Sequence, residues 1–233
     1  MILNKKFDYK VINRVTNTDG SRFYTCPETN KQLPSVTTVL SATADQKELL
    51  EWRERIGNTK ADTICNQSLS LGNLLHNHLE CFILGNSRPR GTNLIRQLAE
   101  KMSNEIINRG LCYIDEVYAT EVPVYLPESY AGTTDLVGVY QGVPSILDYK
   151  TARKMKSASS KIVHDYILQT AAYGTCHNYL YGTDIQCSVI FMVDRDMNFN
   201  TFITEGKEFK KAQKEFTKRF EQYIQNNKLS TII

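Results

Sequence analysis

The chain has 233 residues, a formal net charge of +3, and 41% hydrophobic and 23% charged residues. That is the composition of a globular protein long enough to bury its own core, and it excludes collagen-like, low-complexity and wholly disordered chains. No apolar run reaches the length of a membrane span, and the opening MILNKKFDYK lacks the apolar stretch of a secretion signal, so the expectation is a cytoplasmic protein with no membrane partner.

Residues 1–44 read as β-rich. FDYKVI and SRFYTC flank the turn signal NTDG, and LPSVTTVL follows. Helical spacing predicts a wall over 45–110, with breaks near Gly57, near Leu71–Gly72 and across Gly85–Gly91. Trp52, the only tryptophan, lies on its first helix beside Arg53 and Arg55. It is either a core residue or a platform on which a base could stack. Further on, His76 and Glu80 share a helix face at i and i+4, and His78 points away. Leu71, Leu75, Leu79 and Phe82 form the apolar stripe, so His76 borders the core.

From Tyr113 the period changes to two. Strands are predicted at 115–125, 131–140 and 144–150, the last two joined by a tight turn at Gln141-Gly142. A helix from Ser157 to Tyr181, strands at 185–193 and 198–204, and a helix over 206–226 complete the pattern. Residues 111–204 thus form a sheet with one helix, and 205–233 a closing helical segment. The expected fold is α/β, a mixed central sheet flanked by helices, in one domain over 1–233.

Six scattered cysteines with no CxxC pair predict reduced, mostly buried thiols, with neither structural zinc nor an iron–sulfur cluster. Charge is more informative by position. Between Lys150 and Lys161 stand Lys150, Arg153, Lys154, Lys156 and Lys161 with no acid among them.

The pattern Asp/Glu-x-Lys joins a carboxylate that can hold a divalent cation to an ammonium on the same side of a strand. It occurs five times here, beginning at Asp8, Asp45, Asp148, Glu205 and Glu208. Only Asp148 ends an apolar strand that follows another strand through a tight turn. In that hairpin Asp135 and Asp148 fall opposite each other, close enough to share one ion. The plainer alternative is that Asp135 caps a turn and Asp148 pairs with Lys150. On the long helix, Gln169 and Tyr173 stand at i and i+4, either as packing residues or as a pair able to reach the lysine.

His76-x3-Glu80, Gly132-x-x-Asp135, Asp148-Tyr149-Lys150-Thr151 and Gln169-x3-Tyr173 occur in this order over the span from residue 34 to 173. In this the chain resembles the RecB-like branch of the PD-(D/E)XK nucleases. It is most similar there to the mitochondrial genome maintenance exonucleases and their phage and bacterial relatives. LPSVTTVL, Glu51-Trp52-Arg53 and the spacing of Asp135 to Asp148 suggest that sub-branch.

The resemblance implies a PD-(D/E)XK restriction-endonuclease-like core. It also implies a DNA exonuclease dependent on Mg²⁺ or Mn²⁺, acting on single-stranded ends in replication, recombination or repair and leaving 5′-phosphates. Asp135, Asp148, the backbone carbonyl of Tyr149 and His76 would hold the ion. Lys150 would position the attacking water and stabilise charge on phosphorus, supported by Gln169 and Tyr173. Glu121 would reach a second ion. Thr151, Arg153, Lys154 and Lys156 become DNA contacts, with Trp52 and Arg53 lining a channel under a helical arch. Some relatives carry a four-cysteine iron–sulfur cluster, which these cysteines do not match. A phage or plasmid gene, acting in the host cytoplasm, suits the short chain. The rivals are a duplex-cutting endo- or exonuclease of the same superfamily, an inactive DNA-binding module and a hydrolase of a small phosphorylated molecule.

Overall fold

The computed structural model describes residues 1–230; the last three positions of the expected 205–233 segment lie outside them. After the two-residue strand β1 (Ile2–Leu3), a small antiparallel sheet forms from β2 (Arg14–Thr16), β3 (Arg22–Thr25) and β4 (Gln32–Pro34). NTDG makes the β2–β3 turn, with Gly20 at φ +85°. FDYKVI is not a strand. Its Phe7 and Tyr9 rings instead pack against Tyr118, His177 and Tyr181.

LPSVTTVL also departs from the β expectation. At Ser35 the chain turns into helix α1 (Val36–Ala42), and the Ser35 hydroxyl accepts the Thr38 N–H at 2.9 Å. A capped first turn and burial of Val36, Val39 and Leu40 outweigh the strand preference of Val and Thr.

The helical wall consists of α2 (Lys47–Ile56), α3 (Asn58–Ile83) and α4 (Leu94–Arg109). Gly57 separates the first two, at φ +84°. The break expected at Leu71–Gly72 does not occur. Gly72 lies inside α3, where Leu71, Leu75, Leu79 and Ile83 bury against Ala99, Met102 and Ile106 of α4. This packing outweighs the ~1 kcal/mol that a glycine costs a helix. Ile83 takes the place expected of Phe82, which is 39% exposed.

The alternating region gives β5 (Ile114–Leu126), β6 (Tyr130–Tyr140) and β7 (Val143–Ala152). They are followed by α5 (Lys161–Tyr181), β8 (Cys187–Asp194), β9 (Phe199–Glu205) and α6 (Gly206–Ser230). The central sheet runs β1-β5-β6-β7-β8-β9. β1 pairs parallel with β5 and β7 parallel with β8, and the other neighbours are antiparallel. It is a mixed sheet, and the crossover that a parallel β7–β8 pair requires is α5.

Side-chain alternation loads both faces. Val137 and Ile146 join a core with α1, α5 and α6, while Leu136 and Leu147 join one with α3 and α4. Helices therefore cover the sheet on both sides, the α/β architecture expected. No described helix is long and apolar enough to cross a membrane. Of the six free cysteines, Cys26, Cys176 and Cys187 are buried, whereas Cys65 and Cys112 are exposed and Cys81 is half-buried. The expectation of mostly buried thiols thus holds for three of them only, because Cys65 lies on an exposed face of α3 and Cys112 in the exposed turn between α4 and β5.

Candidate active site

The two-residue turn at Gln141 (φ +48°) and Gly142 (φ +81°) has both residues in the left-handed region that such hairpins require. It sets Tyr140 opposite Val143 and, further along, Leu136 opposite Leu147. There the β6–β7 pairing stops. The Tyr149 N–H, past the end of the ladder, donates to Asp135 Oδ2 at 2.7 Å. A carboxylate has taken the place of a backbone acceptor where the strands part, and side chains from both layers converge on that gap.

One group is built around Asp135. His76, from α3, places Nδ1 3.5 Å from Asp135 Oδ1 and 3.5 Å from Glu121 Oε1. The candidate ligand atoms of His76, Glu121 and Asp135 all lie within 4.8 Å of one another. His76 Nε2 is 3.1 Å from the Tyr149 carbonyl oxygen, which can only accept, so Nε2 carries the hydrogen and Nδ1 faces the carboxylates. The Tyr149 carbonyl, expected to face an ion, here orients the imidazole.

Burial alone would lower the His76 pKa, but Asp135 and Glu121 more than offset it and carry it up to about 9. The Asp135 carboxyl is itself raised, by burial first, with His76 and Lys150 opposing. Glu121 adopts φ +50° within β5, a left-handed conformation that costs a non-glycine residue ~1–2 kcal/mol.

The second group is built around Asp148, which is 1% exposed. Its Oδ2 pairs with Lys150 Nζ at 2.5 Å, and its Oδ1 accepts from Gln169 Nε2 at 3.1 Å. Gln169 Nε2 also lies 3.1 Å from the Tyr173 hydroxyl. Tyr173 packs so closely on Gly132 that a Cβ there would sit 2.3 Å from the ring. Asp148 thus turns to Lys150 and is not among the three converging ligands; Glu121 is. Burial pushes the Asp148 carboxyl up to about 6, against the pull of Lys150. Lys150 is held charged. Burial would lower its pKa, but Asp148 and Asp135 raise it, and the ammonium lies 4.7 Å from the Tyr166 ring centroid.

Both groups open on one cleft of about 890 Å³. Its walls include Arg14 and Arg22 from the small sheet, Glu80 on α3, and Tyr166 on α5. Among the described residues, neither arginine side chain has an ion-pair or hydrogen-bond partner. Sequence reading missed both, since only the fold brings the small sheet to the cleft. Tyr166 had a signal, sharing the face of Gln169 and Tyr173 at a spacing of three and seven residues.

The residues expected to contact DNA stand elsewhere. Trp52 is half-buried on a helix with no buried residue, so it belongs to neither core nor cleft. Arg53 pairs with Asp62 at 2.7 Å. Thr151, Arg153, Lys154 and Lys156 follow Lys150 along the chain but do not line the cleft. His78 does point away from it, into the α3–α4 packing, where it is 1% exposed.

No family model matches the chain, and no curated protein is significantly similar to it. Several solved structures share weak likeness with it, among them the following three. A provisionally assigned exonuclease from Eubacterium rectale is 13% identical, with a TM-score of 0.47 over 67% of this chain. This chain spans 65% of that one, just under two thirds of its length. An alkaline exonuclease from Laribacter hongkongensis is 16% identical, with a TM-score of 0.30 over 67% of this chain and 83% of its own. The same enzyme in complex with dAMP gives 15% identity and 0.31 over 69% and 84%. Likeness at this level carries no argument, and the functional reading rests on the site itself.

Proposed function

We propose that the chain is a divalent-metal-dependent nuclease of the RecB-like PD-(D/E)XK type, hydrolysing phosphodiester bonds of DNA from single-stranded ends. The observation that carries this reading is the convergence of His76, Glu121 and Asp135 where β6 and β7 part, beside a fixed Asp148–Lys150 pair, on a single cleft.

The donor set fits a hard divalent ion. Two carboxylates and an imidazole nitrogen lie within 4.8 Å of one another, the oxygen-rich set that Mg²⁺ and Mn²⁺ take. Without an ion this group carries excess negative charge, which is why His76 holds its proton up to about 9. Bound there, the cation would supply Lewis-acid polarisation of the phosphodiester and of an attacking water.

The chain's own residues do the rest. Lys150 keeps its proton at neutral pH, so it acts by charge on the phosphoryl oxygens and not as a general base. Asp148 and the Tyr166 ring hold that ammonium from two sides, and Gln169 fixes the second Asp148 oxygen. Arg14 and Arg22, unpaired and on the cleft wall, are suited to the flanking phosphates of the strand. A cleft of about 890 Å³ has room for a few nucleotides of one strand. α3, which lines the cleft with Asn73, His76 and Asn77, would form the wall that a free end passes.

The test is degradation of a labelled linear single strand beside a closed circular one, with Mg²⁺ or Mn²⁺, with EDTA, and with Lys150→Ala. The expected result is loss of the linear strand alone, abolished by EDTA and by the substitution. Cutting of the circle would discard end-dependence, and binding without cutting would replace the enzyme by a binding module.

A further inference from the structure

The basic stretch after Lys150 is left over from the cleft, yet it is not a loose loop. Strand β7 ends at Ala152, paired with Asp194 at the end of β8. Asp194 is 2% exposed and fully engaged. Its Oδ1 accepts the N–H groups of Asp196 (3.0 Å) and Asn198 (2.9 Å), and its Oδ2 accepts Asn198 Nδ2 (3.0 Å) and the Met155 N–H (2.9 Å).

Met155 is held from its other end as well. Its side chain packs with Val163, Ile190, Met192 and Phe202, in the cluster that includes Tyr166, the ring over Lys150. With Met155 fixed by backbone and side chain, Arg153, Lys154 and Lys156 around it are exposed. Among the described residues none of the three has an ion-pair or side-chain hydrogen-bond partner. The nearby Lys161, by contrast, is engaged with Glu48 at 2.9 Å.

We infer that Arg153, Lys154 and Lys156 form a rigid phosphate-binding rim outside the cleft, with Asp194 as its positioning residue. The rim takes the sugar–phosphate backbone of the strand beyond the nucleotides in the cleft. Pinning matters because a flexible loop would lose conformational entropy on meeting each phosphate, whereas a held backbone has lost it on folding. This inference rests on the nuclease reading for its ligand, a single strand of nucleic acid.

The experiment is the salt dependence of binding, read by anisotropy of a labelled single-stranded oligonucleotide in EDTA. For three lost phosphate contacts at about 0.7 each, the triple variant R153A/K154A/K156A should flatten the slope of log K against log salt by about 2. Asp194→Asn, which turns an acceptor into a donor facing the Met155 N–H, should flatten the slope in the wild-type background and change nothing in the triple variant. Met155→Ala releases the other end of the clamp and should behave likewise, which keeps the test open should Asp194→Asn fail to fold. An unchanged slope in the triple variant would overturn the rim. Equal losses for Asp194→Asn in both backgrounds would overturn the clamp, since a general effect on the fold adds and a positioning effect does not. Cleavage is read separately with Mn²⁺. An intact strand there, with the slope pattern present, refutes the nuclease reading and leaves the rim.

Discussion

The two carboxylate groups at the cleft are neighbours with opposite electrostatic characters. Asp148 is satisfied: one oxygen meets the Lys150 ammonium and the other the Gln169 amide. Asp135 and Glu121 share one imidazole, and the shortfall shows in a His76 pKa of about 9. A buried ion pair that is complete organises its own charges. A partly buried group with more anions than cations is a place for an ion. The difference predicts that the two groups respond differently to substitution and to metal.

The largest effect is expected at Lys150. Lys150→Ala should lower the rate of strand hydrolysis by at least about 10²–10³-fold, the scale of losing a preorganised charge at the reacting group. Mn²⁺ binding should survive, because removing an ammonium only makes the site more negative. Loss of both in this variant would erase the distinction between the groups.

Glu121 sharpens the contrast by the sign of its effect on stability. Glu121→Gly removes a carboxylate from the ion-binding group and relieves a backbone held at φ +50°. The metal-free protein should gain ~1 kcal/mol, and the rise in melting temperature that Mn²⁺ gives the wild type should vanish. Thermal melts with and without the ion check both halves.

The metal-free protein should also lose stability as pH rises, in two windows. Asp148 has a folded pKa of about 6, above its ordinary 3.8, so the folded state binds more protons and stability falls as pH climbs from about 4 through 6. His76 is raised from 6.5 to about 9, so its contribution is complete below 6.5 and lost through 9. Mn²⁺ replaces the missing positive charge, and its stabilisation should be greatest at the alkaline end. A gain that is larger at pH 5 than at pH 8 would contradict the assignment.

A smaller effect is expected at Gly132→Ala. The new Cβ would meet the Tyr173 ring at 2.3 Å, costing ~1–3 kcal/mol as the ring shifts. The shift moves the Gln169 contact with it, so hydrolysis should fall while Mn²⁺ affinity holds.

How much of this was readable beforehand follows from how local each relation is. The Asp135–Asp148 juxtaposition depends on a two-residue turn and strict alternation, both visible in the sequence. Strands β5 to β9 of the central sheet are legible to within a few residues for the same reason, whereas the two-residue β1 is not. Gln169 and Tyr173 were visible as a helix face, and Tyr166 completes it. The place of Glu121 beside His76 and Asp135 was less legible, because it depends on β5, whose pairing with β6 has register shifts near Ile114–Glu116 and Val117–Ala119. Arg14 and Arg22 reach the cleft only through contacts of the small sheet with β6, which no local pattern encodes. Within the β-rich first forty residues LPSVTTVL misled, because Val and Thr favour strands until a cap and a buried face outweigh them, as at Ser35.

The most direct measurement of the central claim is a calorimetric titration of Mn²⁺ into the wild type, Glu121→Gln, Asp135→Asn and Lys150→Ala. The site described here predicts binding to the wild type and to Lys150→Ala, with affinity at least about tenfold weaker in Glu121→Gln and Asp135→Asn. Wild-type affinity in Glu121→Gln would contradict it, placing the ion with Asp148 and away from the group that His76, Glu121 and Asp135 form.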